Sequence, residues 1–136
     1  MRIPLENRII EVIDGISFVR TYKSDDVYEG KGKKIEFDED VDMQVAIFRV
    51  KGKLHCFSNI CPHRHQPDIF NSILQGNRIS CPQHAWTYYI ETGMNVNQRQ
   101  GIKNLKKFSI FEKDGWVYIE IPELHIPKWR EVPLSR

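Results

Sequence analysis

The chain reads as an all-β domain, an antiparallel sandwich or barrel, and three observations predict this. Short runs of β-branched and aromatic residues, partly alternating with polar ones, recur along its 136 residues. Glycine-containing turns separate several of them, at Asp14-Gly15, Lys51-Gly52, Thr92-Gly93 and Asp114-Gly115. No convincing helix of more than two turns and no internal repeat interrupts the series. Many short strands joined in this way pack as layered β-sheet.

Taken in order, residues 9–13 are a short strand that Asp14-Gly15 turns back into a second, 16–22. Residues 24–27 turn the chain with an acidic start, and 34–37 alternate polar and apolar. Asp38-Glu39-Asp40 is an acidic turn rather than a binding site. Residues 45–50 and 54–58 form the clearest hairpin, about Lys51-Gly52. Cys56 lies in its second strand and reads as a small buried hydrophobe. Its neighbour His55 then points to the opposite face, toward solvent. Residues 78–80 feed Cys81, residues 86–90 leave His84, and Glu91-Thr92-Gly93 turns the chain back into 94–97. Residues 105–111 and 116–121 make a last hairpin about Asp114-Gly115. Three prolines, Pro122, Pro127 and Pro133, break the tail 122–136, and its Trp129 and aliphatic residues are expected to pack on the sheet.

A length of 136 residues suits one domain, 1–136. A formal net charge of +2 without a long basic block argues against nucleic acid as a partner. The lysines at 31, 33, 34, 103, 106 and 107 read as solvated faces. Residues 1–7 have no apolar leader segment, and no apolar run approaches the length of a membrane span. Three cysteines, an odd number, fit a reducing compartment. The expectation is a cytoplasmic, soluble protein that does not engage a membrane.

The chemistry is concentrated between Cys61 and His84. Cys61-Pro62-His63 is followed by seventeen residues and then by Cys81-Pro82-Gln83-His84. Thiolates and neutral imidazoles both bind iron and zinc. A zinc finger usually pairs two cysteines and then two histidines, whereas each cluster here offers one of each. Two facing loops of this kind can bring both cysteines to one iron and both histidines to another. A zinc site, or two unrelated Cys/His loops, is the competing reading.

This spacing resembles the signature of Rieske 2Fe–2S proteins, in which two histidines replace two cysteines on one iron. Pro62, Pro67, Pro82, Tyr88 and the Thr92-Gly93 turn fall where Rieske ferredoxins carry similar residues, and the looser likeness reaches from about residue 16 to 121. The resemblance implies an antiparallel β domain whose loops, about 59–68 and 80–88, form a small cluster-binding subdomain. It implies one 2Fe–2S cluster, with Cys61 and Cys81 on one iron and His63 and His84 on the other. It also implies a one-electron carrier, a ferredoxin that takes electrons from a flavoprotein or ferredoxin reductase and passes them to a terminal oxygenase. The alternative is the small redox subunit of an assimilatory nitrite reductase-like complex. No catalytic residue is expected, and the chain reads as a component of an oxidoreductase system rather than a stand-alone enzyme. His125 is the only histidine after the motif, too few for an oxygenase iron site.

The resemblance also frames the departures. His65 and Ala85 stand where glycine is frequent. Gln66 and Gln83 occupy the places where high-potential members carry a disulfide, and Trp86 the place of their serine donor. Tyr88 keeps the second hydroxyl. A low reduction potential is therefore expected. Backbone N–H groups at Gln83 and Ala85 are candidate donors to cluster sulfur, and Arg64 is a candidate partner for a carboxylate or a solvated surface residue.

Overall fold

A computed structural model describes residues 1–4, 8–37, 42–62, 65–82, 86–97 and 103–121. The acidic run 38–40, the ligand candidates His63 and His84, and Arg64, Gln83, Ala85 and the tail 122–136 lie outside these described residues. The strands are β1 Arg2–Ile3, β2 Ile10–Ile13, β3 Ile16–Lys23, β4 Lys33–Phe37, β5 Gln44–Val50 and β6 Lys53–Ser58. They continue as β7 Ile73–Gln75, β8 Arg78–Ser80, β9 Thr87–Tyr89, β10 Lys107–Phe108, β11 Ile110–Lys113 and β12 Trp116–Glu120. Single 3-10 turns cover Ser24–Asp26 and Ile69–Asn71. The all-β architecture expected from the sequence is what the structure shows.

Among the described residues these strands form three sheets. A central sheet has the order β1-β4-β5-β6-β10, a second β11-β12-β3-β2, and a small third β7-β8-β9. All named pairs are antiparallel except β1 with β4, which sequence reading did not foresee. Three hairpins are set by their turns. Asp14-Gly15, Lys51-Gly52 and Asp114-Gly115 all place two successive residues at positive φ, between 53° and 81°. Paired positive φ values match the twist of the flanking strands.

The central sheet is buried on both faces. Val45, Ile47, Leu54 and Cys56 pack with Val19, Val117 and Ile119 of the second sheet. Ala46, Phe48 and Phe57, from the alternate positions of the same two strands, pack with Ile79 and Tyr88 of the third sheet. The period of two along β5 and β6 thus feeds two separate apolar cores.

This layering corrects the expectation for His55. It does lie opposite Cys56, but it is 2% exposed. The third sheet covers its face of β6, where it stacks on Phe57 with ring centroids 6.3 Å apart. Alternation predicts the face, not whether that face meets water. Two strand boundaries also change. Residues 105–111 are not one strand: β10 pairs with β6, and after Ser109 the chain crosses to pair as β11 with β12. Residues 94–97 return beside β9 through a single bridge, Tyr88 with Asn95, flanked by two backbone hydrogen bonds of 2.9 Å.

Candidate functional site

Both cysteine loops are closed in the same way. The Cys61 amide donates to the Gln66 carbonyl at 2.8 Å, and the Cys81 amide donates to the Trp86 carbonyl at 2.8 Å. Each cysteine thus starts a loop that returns to it five residues later. Proline follows each cysteine, so neither loop carries a backbone donor at its second position. The first loop leaves β6 through Asn59 and Ile60, and the second joins β8 to β9.

The first loop tightens further where the His65 amide donates to Cys61 O at 2.7 Å. His65 takes a φ of 56°, the left-handed region that glycine enters freely. The departure from glycine is thus absorbed at the cost of local strain, about 1–2 kcal/mol. The ring points to Asp42, with Nε2 3.0 Å from Oδ2, and both side chains are exposed.

The two loops bring Cys61 and Cys81 into the same apolar core, with Phe57, Ile69, Ile79, Tyr88 and Leu105 around them. Both thiols are buried and neither is in a disulfide. Tyr88 lies in β9 and is fully buried. Its hydroxyl finds no well-formed hydrogen bond. Burial pushes its pKa well up, and charge on Cys61 and then on Cys81 adds to this, as does the hydroxyl's weak contact with Cys61. A buried hydroxyl without a partner costs about 1–3 kcal/mol. An electron-rich sulfur between the two cysteines would supply that partner, so these residues fit an iron–sulfur group. Among the described residues no three metal-ligating side chains converge. The two histidines fall outside them.

The third cysteine is different. Cys56 is buried in the other core, and burial pushes its thiol pKa far up. It behaves as the small hydrophobe the sequence suggests.

Two further features escaped sequence reading. Lys107, read as part of a solvated face, is half-buried. Its Nζ donates to His55 Nδ1 at 3.1 Å and to the carbonyls of Ile90 and Glu91, each at 2.9 Å. An ammonium can only donate, so Nδ1 accepts and the ring proton sits on Nε2. Burial, helped by the Lys107 charge, holds the His55 pKa down at about 4. The lysine thereby ties β10 to the turn after β9, the strand that carries Tyr88. The other feature is Asn59, a fully buried amide two residues before Cys61. A polar residue just after a strand looks like loop filler, and nothing in the sequence marks its burial.

Comparison with known proteins agrees with this geometry. Residues 17–109 match the family model "Rieske [2Fe-2S] domain". A nitrite reductase [NAD(P)H] of Emericella nidulans is 29% identical over 89 residues, which is 60% of this chain and 8% of that protein. The chain spans at most 29% of the length of the other curated relatives it matches. A ferredoxin from Sphingomonas yanoikuyae B1 superposes with a TM-score of 0.65 at 23% identity, covering 76% of this chain and 97% of its own. A structure described as an NADH-dependent nitrite reductase small subunit from Mycobacterium tuberculosis superposes with a TM-score of 0.68 at 15% identity, covering 79% and 96%. At these identities the superpositions establish the fold. No helix among the described residues is long and apolar enough to cross a membrane. The family match covers most of the chain, and the fold agrees with it. The chain belongs to the Rieske [2Fe-2S] domain family, whose cofactor is a Rieske-type 2Fe–2S cluster.

Proposed function

We propose that this protein is a one-electron carrier in which Cys61 and Cys81 hold one iron as thiolates and His63 and His84 hold the other as neutral imidazoles. The observation that carries the reading is the meeting of two similarly closed cysteine loops in one core with a buried tyrosine hydroxyl that lacks a well-formed hydrogen bond. When bound, the cluster supplies reversible one-electron chemistry, with two neutral ligands favouring reduction at their iron. The protein's own residues do the rest. The apolar core around Cys61 and Cys81 excludes water. Tyr88 is placed to donate to sulfur, a bond that strengthens as negative charge builds up. Pro62 and Pro82 limit the number of backbone donors. Pro82, next to Cys81, is exposed, which supports a short path to a docked partner.

The donor in this reading is a flavoprotein or ferredoxin reductase, and the acceptor a terminal oxygenase. A second reading makes the chain the redox subunit of a nitrite reductase-like complex, favoured by the likeness to nitrite reductase. Three buried, unbridged cysteines support a reducing, cytoplasmic setting. The deciding experiment is reconstituted electron transfer from candidate reductases, followed through the visible bleaching of the reduced protein. Reoxidation by an oxygenase component supports the first reading, and reoxidation by a sirohaem subunit the second. A protein that no reductase reduces and no acceptor reoxidises contradicts both.

A further inference from the structure

We infer that Asn59, which binds no metal, is the positioning residue that holds the Cys61 loop in its ligating shape. The inference rests on the reading of Cys61 as a ligand. It starts from an inequality between the two loops. The Cys81 loop is flanked by paired strands, with Ser80 directly opposite Thr87 and their hydroxyls 2.9 Å apart. A ladder therefore fixes its base. The Cys61 loop has a strand on one side only. On the other side it runs into Pro67 and the 3-10 turn Ile69–Asn71.

Asn59 stands in for the missing ladder. Its Nδ2 donates to the Pro67 carbonyl and to Gln44 Oε1, each at 3.0 Å. Its Oδ1 accepts from the Phe70 amide at 2.8 Å. Its backbone adds two more bonds, donating to Gln44 O at 2.9 Å and accepting from the Ile69 amide at 3.2 Å. The amide orientation is fixed, because a carbonyl only accepts and a backbone N–H only donates. One buried side chain thus pins both ends of the loop to each other and to the start of β5. A shorter side chain leaves the half-buried Pro67 O and Phe70 amide without these partners, and the loop is then free to relax.

The test compares cluster release to an iron chelator in the parent, Asn59→Ala, Gln44→Leu and Thr21→Val. Thr21 makes a buried hydrogen bond to Val117 O at 2.9 Å in the other core, so its loss mimics plain destabilisation. Asn59→Ala should release the cluster roughly tenfold faster or more, the scale of a buried hydrogen bond left unmade. Its electron paramagnetic resonance lines should broaden as cluster geometries spread. Thr21→Val should stay within about twofold of the parent and keep sharp lines, because its bond is remote from the loops. Gln44→Leu removes one acceptor and should fall between, which keeps the test decisive if Asn59→Ala does not fold. Release from Asn59→Ala or Gln44→Leu no faster than from Thr21→Val overturns the inference. If the parent holds no cluster, the ligand reading fails instead. Amide exchange at Cys61 and Phe70 in the metal-free chain still judges Asn59, since it should quicken in these variants and not at Ser80 or Thr87.

Discussion

The two apolar cores each bury cysteine equally well, yet only in one core do the cysteines begin loops. Cys56 is 0% exposed, Cys61 0% and Cys81 2%. Burial therefore does not tell a proposed ligand from a packing residue. The surroundings do. Cys56 sits mid-strand, with its backbone spent on the ladder and its thiol among side chains of both sheets. Cys61 and Cys81 begin loops, their amides close those loops, and a buried hydroxyl without a well-formed hydrogen bond lies in the same core. A site of this kind is marked by backbone that has left the ladder and by a polar group that the protein alone does not satisfy.

The largest expected effect sharpens this contrast. Cys61→Ser, Cys81→Ser, His63→Ala or His84→Ala should abolish a stable cluster, read as loss of visible absorbance and of bound iron and sulfide. Cys56→Ser should keep the cluster spectrum and lose about 1–3 kcal/mol of stability, because the new hydroxyl is buried without an assured partner. Urea unfolding measures the loss. A Cys56→Ser protein that folds normally but shows an altered paramagnetic resonance spectrum would erase the distinction between the cores.

A smaller effect concerns the layer between the cores. His55 has a folded-state pKa of about 4 against its ordinary 6.5. The unfolded chain then binds the extra proton first, so stability is full above pH 6.5 and falls as pH drops toward 4. The expected loss is on the order of 1–2 kcal/mol, reduced by partial solvent screening. His55→Gln should flatten that stretch of the stability profile of the metal-free chain. A parent profile identical to that of His55→Gln would mean that the Lys107 contact does not depend on a neutral ring.

The smallest is electronic. The absent disulfide partners and serine donor place the reduction potential near the low end of the family range, roughly −150 to 0 mV. Tyr88→Phe should lower it by about 40 mV, the equivalent of about 1 kcal/mol in a one-electron couple. Protein-film voltammetry at neutral pH reads both values. A parent value above about +150 mV contradicts the low-potential assignment, and an unmoved potential in Tyr88→Phe reduces Tyr88 to packing.

Much of this was legible before the structure. The Gly turns were legible because paired positive φ leaves few residue choices at Asp14-Gly15, Lys51-Gly52 and Asp114-Gly115. The family was legible because thiol and imidazole at that spacing have few other uses. What was not legible depended on layers. His55 is buried and Lys107 half-buried because a third sheet covers the central one, and no local pattern announces a third sheet. Asn59 was missed because its partners, Gln44, Pro67 and Phe70, become neighbours only once the loop is folded. The split between β10 and β11 was hidden because a strand that changes sheets keeps its alternating pattern.

The central claim is that two cysteines and two histidines share one binuclear site. Pulsed electron paramagnetic resonance on the reduced protein, with nitrogen-15 placed in histidine alone, tests it most directly. The account predicts two strongly coupled histidine nitrogens in the parent, and loss of the cluster signal itself when His63 or His84 is replaced. A cluster that couples to no histidine nitrogen, or a protein that carries zinc and no paramagnetic centre, would contradict it.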